Sequence, residues 1–340
     1  MERPITDDSR IVIFSDLHIG NGRRLDDFRK NAELFMDVLE SYWNDGFTLV
    51  LNGDIEELQR YSHREIERSW PHLFEAFGWF QESDRLMKTV GNHDLKLLKL
   101  PKRGINSGLL HSVRLVYESR PLYVFHGHQA SIFFERFNAL AGTMLRFLAN
   151  PLGIKNYSVS QVTRRKFITE NRVYRFSARQ RIVSIIGHTH RPLFESLSKV
   201  DSLKFAIESL LQVYPEGNRE QKRAIRESIE LHVEELRSLR EEKRRYTLTS
   251  SIYSEDVIIP LLFNSGCGIG KRGITGLEIA EGCISLLHFF DAGRPPRYLG
   301  SEEYEAEPLQ AGSGSVDSSF KVRLRQDRLV DVFTRIELLS

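Results

Sequence analysis

The chain has 340 residues, a formal net charge of +2, 41% hydrophobic side chains and 28% charged ones. These proportions describe an ordinary folded protein and exclude disorder and wholesale electrostatic binding of nucleic acid. Two isolated cysteines, Cys267 and Cys283, make neither a disulfide framework nor a structural zinc site. With no signal-peptide core after Met1 and no membrane-spanning apolar run, a cytoplasmic protein is expected.

Arg10-Ile11-Val12-Ile13-Phe14 is β-branched and apolar, as a buried strand should be, and ends in Ser15-Asp16-Leu17-His18. On an extended backbone, alternate positions point Asp16 and His18 the same way. Asp26 to Asp45 carries Phe28, Ala32, Phe35 and Leu39 at helical spacing. A second strand, Phe47 to Leu51, delivers Asn52-Gly53-Asp54. A helix from Arg64 to Phe80, broken near Pro71, leads to a third strand, Arg85 to Val90, which delivers Gly91-Asn92-His93-Asp94. Strand, helix, strand, helix, strand is the mark of a layered α/β fold.

Ser112 to Tyr117 and Leu122 to Phe125 read as a hairpin whose second strand ends in His126-Gly127-His128. A helical insertion is expected from about 131 to 181. Phe133, Phe137, Leu140 and Met144 form its apolar stripe, and Arg165, Arg172, Arg175 and Arg179 lie near one face of a following basic helix. Arg181 to Ile186 returns as strand and delivers Gly187-His188-Thr189-His190. A second helical insertion is expected from about 198 to 245. Strands resume at Val257 to Phe263, Ile274 to Ile279 and Cys283 to Phe290, with Glu281-Gly282 as a turn. Residues 301–320 read as a flexible acidic Gly/Ser linker and 321–340 as a short C-terminal element, leaving residues 1–300 as the main domain.

Asp16-x-His18, Gly53-Asp54-x-x-Glu57, Gly91-Asn92-His93-Asp94, His126-Gly127-His128 and Gly187-His188-x-His190 together resemble the calcineurin-like metallophosphoesterase superfamily, in the family's order. The resemblance implies an α/β fold, a two-layered β-sandwich flanked by helices, here with two helical insertions. It also implies two divalent metal ions, among manganese, iron and zinc. Asp16, His18 and His190 would hold the first ion, Asn92, His126 and His188 the second, and Asp54 would bridge both. Such a pair can share a hydroxide as nucleophile against a phosphoester or diphosphate bond. His93 is implied as the non-ligand histidine that assists the leaving group, with Glu57 orienting it. His128, Arg172 and Arg175 are expected to face substrate, a phosphorylated small molecule or a nucleotide-lipid. Cys267, in Asn264-Ser265-Gly266-Cys267-Gly268, is expected to serve turn geometry and not to act as a catalytic thiol.

The helical insertion is similar to that of the UDP-diacylglucosamine pyrophosphatases of lipid A synthesis, which would bring peripheral membrane contact. The chain differs from them at His93, where they commonly carry Arg, and in its second insertion. A nuclease or cyclic-nucleotide phosphodiesterase would use the same core, but nucleic acid is not favoured because no basic groove with interleaved aromatics stands out. A non-catalytic metal-binding scaffold is the remaining alternative. The insertions would also allow oligomer formation.

Overall fold

A computed structural model describes residues 1–130, 163–194, 207, 214, 219–246, 259–296, 305–309 and 318–339. Its strands are β1 (Glu2–Ile5), β2 (Ile11–Phe14), β3 (Thr48–Asn52), β4 (Leu86–Thr89), β5 (Leu109–Leu110), β6 (Val113–Tyr117), β7 (Arg120–Val124), β8 (Val183–Ile186), β9 (Leu262–Asn264), β10 (Ile274–Ala280), β11 (Cys283–Asp291), β12 (Ala306–Pro308) and β13 (Ser319–Arg328). Its helices are α1 (Ala32–Asn44), α2 (His63–Ser69), α3 (Pro71–Glu82), α4 (Thr163–Gln180), α5 (Arg219–Tyr246) and α6 (Leu329–Leu339). No described helix is long and apolar enough to cross a membrane.

The strands form one five-stranded sheet, β1-β6-β7-β8-β9, and one eight-stranded sheet, β12-β13-β11-β10-β2-β3-β4-β5. Every residue of β2, β3 and β8 is buried, because each strand is covered on both faces. In β2, Ile11 and Ile13 point into the core between the sheets, with Val50, Leu115, Val124, Ile185 and Leu277. The alternate residues Val12 and Phe14 pack outward with Phe35 and Leu39 of α1 and Phe77 of α3. On the far side, Val173 and Phe176 of α4 cover Tyr123 and Leu262 of the five-stranded sheet. The expected sandwich flanked by helices is therefore present.

What positions the site is strand direction. β2, β3 and β4 run parallel in one sheet, and β7, β8 and β9 run parallel in the other. Their C-terminal ends open onto one edge of the sandwich, where the polar turns collect. The two hairpins close through tight turns at Glu118-Ser119 (φ 47° and 68°) and Glu281-Gly282 (φ 54° and 67°), the positive φ values that a two-residue hairpin requires.

Several expectations need correction. The first helix opens with a 3-10 turn at Phe28–Asn31, because the Asp26 carboxylate binds the Gly22 and Phe28 amides and Asn31 reaches across to Gly268 and Gly270. Of the strand expected over Val257 to Phe263, residues 257 and 258 lie outside the described residues and 259–261 are not strand, so the described strand begins at Leu262, after Pro260, which has no N–H for a ladder. Within the expected linker, most of which lies outside the described residues, Ala306–Pro308 pairs with Phe320–Val322 of β13. The last twenty residues are both strand and helix. β13 lies against β11 along nine residue pairs and α6 buries Leu329, Val332, Phe333 and Ile336. β1, which the sequence reading lacks, pairs parallel with β6.

The two expected insertions contribute α4 and α5. α5 is charge-laced, with Arg223 and Glu227 paired 3.1 Å apart and Leu231 70% exposed. The apolar stripe at Phe133, Phe137, Leu140 and Met144 and the side chain of Arg165 lie outside the described residues.

Candidate metal centre

The loops that follow β2, β3, β7 and β8 bring Asp16, His18, Asp54, His126, His188 and His190 together, and Asn92 stands in the loop after β4 between Gly91 and His93, both of which approach Asp54. Asp16, His18 and His190 form one group of potential ligands, and Asp54, His126 and His188 a second. His18, Asp54 and His93 form a third that overlaps both, and within each group the ligand atoms lie within 4.8 Å of one another. His126 Nε2 stands 3.1 Å from Asp54 Oδ2, and His190 Nε2 stands 3.1 Å from Asp16 Oδ1.

The backbone that presents these side chains is bent, not extended. Asp16 (φ 53°), His18 (48°), Asp54 (52°), His188 (66°) and His190 (53°) all take left-handed conformations. Asp and His tolerate this region better than most residues, and such strain persists where surrounding contacts over-determine it. Here the contacts run from loop to loop. The His188 amide donates to Asp16 Oδ2 (2.8 Å) and the His93 amide donates to Asp54 Oδ1 (2.7 Å). Glycine permits the approach, since a Cβ on Gly91 would sit 2.1 Å from Asp54 Oδ1 and one on Gly187 would sit 2.4 Å from Asp16 Oδ2.

The donor set fits divalent cations. His126 Nδ1 lies 3.0 Å from the Asn52 carbonyl, which can only accept, so Nδ1 carries the proton. A neutral ring then turns its Nε2 lone pair on the Asp54 carboxylate, an arrangement that a proton or a cation must relieve. His18 behaves alike, with Nδ1 on Glu57 (3.0 Å) and Nε2 facing His190 Nε2 at 3.0 Å. Asp16 Oδ1, Asn92 Oδ1, His126 Nε2 and His188 Nε2 are buried and make no hydrogen bond. Buried lone pairs of this kind are costly unless something positive occupies the space between them.

The electrostatics say the same. Burial opposes a charge on Asp16, but His190 and His126 beside it hold its carboxyl down to about 2. Burial likewise opposes a charge on His126, and Asp54 and Asp16 outweigh it, raising the imidazole to about 10. His188 is pushed down to about 3, by burial and then by His126. A proton on His126 thus stands in where a cation would stand.

The resemblance pairs Glu57 with His93, and the two side chains stand in hydrogen-bond contact. Burial would raise the Glu57 carboxyl, but hydrogen bonds from His18 and His93 bring it down to about 2. His93 Nδ1 lies 2.9 and 2.8 Å from the two Glu57 oxygens, and its ring lines an open cleft with His18, Arg60, Tyr61 and His190. His128 packs on the rings of His126 and His188 at 5.4 and 6.3 Å. Arg172 is half-buried and Arg175 exposed on α4, and neither lines that cleft. Cys267 sits in a turn where Gly266 has φ 83° and the Cys267 amide donates to Thr275 Oγ1.

Sequence reasoning missed four supporting residues. Asp94 accepts from the Gly91 and Ile55 amides and so joins two loops. Asn52 donates to the Phe125 carbonyl across the sandwich, and Asn264 donates to Gly187 O and Thr189 Oγ1. Glu170, on α4, accepts from Thr189. Asn52, Asp94 and Asn264 stand inside the turn motifs that follow the strands, which was the available signal; Glu170 stands in none.

Comparison with known families finds that the calcineurin-like phosphoesterase model matches residues 9–209, more than half of the chain. No curated protein matches the chain.

Proposed function

The chain belongs to the calcineurin-like phosphoesterases, and from that premise we propose that it hydrolyses a phosphoester or diphosphate bond at a site for two divalent ions. The observation that carries this reading is the juxtaposition of two ligand groups, Asp16 with His18 and His190 and Asp54 with His126 and His188, in which Asp16 Oδ1, His126 Nε2 and His188 Nε2 are buried and make no hydrogen bond. In this reading Asp16, His18 and His190 would hold one ion, Asn92, His126 and His188 would hold the other, and Asp54 would serve both. Manganese, iron and zinc all suit mixed imidazole, carboxylate and amide donors. When bound, two such ions supply Lewis-acid activation of water and neutralise charge on the phosphoryl oxygens.

The chain's own residues shape the rest. Glu57 fixes the tautomer and direction of His18 and His93 together. With Nδ1 held by that carboxylate, His93 has Nε2 left for the substrate, and a proton held there can pass to the departing oxygen. Glu57 stays ionised through the neutral range, so it continues to accept from both rings.

The test is to load the purified chain with manganese. It is then offered an aryl phosphate, phosphomonoesters, phosphodiesters, cyclic nucleotides and nucleotide-diphospho-lipids. Hydrolysis of at least one class is expected, and a protein that holds two ions yet turns over none overturns the proposal. Asp54→Ala should lose both ions by elemental analysis, since one carboxylate serves both, and a fully loaded variant would remove that role.

A further inference from the structure

Glu170 is an acidic side chain with no exposure at all, on a helix that supplies no residue to the metal centre. α4 rests on the five-stranded sheet through Val173 and Phe176, a packing that needs no buried carboxylate. The Glu170 carboxylate accepts from Thr189 Oγ1 at 2.7 Å and from Arg191 through both Nε (3.2 Å) and Nη2. Thr189 separates His188 from His190. Its hydroxyl gives its one proton to Glu170 and accepts from Asn264 Nδ2 at 2.8 Å, while the same amide reaches Gly187 O at 3.1 Å. The turn is therefore held from α4 on one side and from the end of β9 on the other, with φ 66° at His188 and 53° at His190. A backbone in that region persists where its neighbours over-determine it.

We propose that Glu170 is a positioning residue for the metal centre, acting through Thr189 to set the spacing of His188 and His190 and hence of both ions at once. This rests on the metal-site reading above. The charge has a reason in the geometry. A glutamine could accept from Thr189, but only a carboxylate also holds the Arg191 guanidinium at two points, and that grip keeps the oxygen turned toward the hydroxyl. Partners that orient metal-binding histidines affect affinity even where they touch no metal.

The experiment titrates the metal-free full chain with manganese by calorimetry and follows thermal unfolding of the same samples in chelator. Thr189→Val removes both hydrogen bonds with little change of shape, Thr189→Ser keeps the hydroxyl, and Glu170→Gln keeps an acceptor but loses the charge. Thr189→Val and Glu170→Gln are expected to bind manganese roughly 10–100-fold more weakly, while Thr189→Ser stays close to wild type. Aryl phosphate turnover should fall in parallel at limiting manganese and recover in excess, with KM unchanged. A merely structural role would lower the melting temperature in chelator and leave manganese affinity alone, and that result overturns the inference. If Glu170→Gln does not fold, the Thr189→Val and Thr189→Ser pair decides, since both keep the Glu170–Arg191 ion pair. Wild type that takes up no manganese overturns the metal-site reading and this inference together. Wild-type uptake matched by Thr189→Val overturns the inference alone.

Discussion

Glu57 accepts from two histidines with different duties, so its removal and the removal of His93 should not look alike. His93→Ala deletes the group proposed to assist the leaving oxygen and leaves His18 held by Glu57 at 3.0 Å. Metal content should stay near wild type, while turnover falls by about 10²–10⁴-fold for alkyl leaving groups and less for aryl ones, which need no proton. Glu57→Gln loosens both rings and should weaken metal binding as well as turnover. Metal stoichiometry measured beside kcat separates the two, and equal losses for alkyl and aryl substrates would remove His93 from proton transfer. At this scale the motif residues were legible because each block sits in a short turn directly after a strand. Their backbone was not. The extended spacing that would aim Asp16 and His18 together gives way to left-handed turns, because Asp16 must also reach the His188 amide.

Among elements, the loop after β3 is braced from below by a buried ionic cluster. Lys88 of β4, 2% exposed, places Nζ 2.8 Å from Glu56 Oε1 and 2.7 Å from Asn106 Oδ1, and His63 bonds the other Glu56 oxygen. Burial would raise the Glu56 carboxyl, but Lys88 and His63 outweigh it and bring it from 4.5 to about 2. A depressed carboxyl contributes stability that is complete above about 4.5 and is lost as pH falls toward about 2. His63 is raised by Glu56, so its share is complete below 6.5 and fades as pH climbs through its folded value. Glu56 alone accounts for about 3 kcal/mol. Urea unfolding of the wild type should therefore weaken steeply between pH 4.5 and about 2, and Lys88→Met should flatten that slope. An unchanged slope would place the acid sensitivity elsewhere.

The C-terminal elements carry the opposite lesson about legibility. Lys321, Arg323, Arg325 and Arg328 make β13 look like a solvated segment, and its place in the sheet depends on β11, thirty-odd residues earlier in the chain. α6 does show Leu329, Val332, Phe333 and Ile336 at helical spacing, but the face they cover is assembled by both sheets. Phe333 is 4% exposed and stacks on Tyr117 of β6 at 6.4 Å. Phe333→Ala should cost about 3–5 kcal/mol in urea unfolding; a loss within experimental error would show α6 to be only loosely docked.

For the whole molecule, the site lies on the seam between the two sheets. Asp16, Asp54 and Asn92 follow β2, β3 and β4 of the eight-stranded sheet, whereas His126, His188 and His190 follow β7 and β8 of the five-stranded one. The core between the sheets holds their faces, but at this edge the described contacts across the seam include ion-pair and amide contacts such as His126–Asp54, His190–Asp16 and Asn52 to the Phe125 carbonyl. Ions held by ligands from both sheets would cross-link the sandwich where apolar packing stops, and an unfolded chain offers no such cage. Binding to the folded state alone adds about 2.7 kcal/mol at a hundredfold excess over Kd for each site, which raises the melting temperature by roughly a few degrees per site. Thermal unfolding with manganese against chelator should show that rise, and it should shrink in Asp16→Asn and His126→Ala alike, although the two residues stand on different sheets. A rise that disappears in one variant and is untouched in the other would mean that the ions sit on one sheet, and the cross-link would be refuted with the folded state intact.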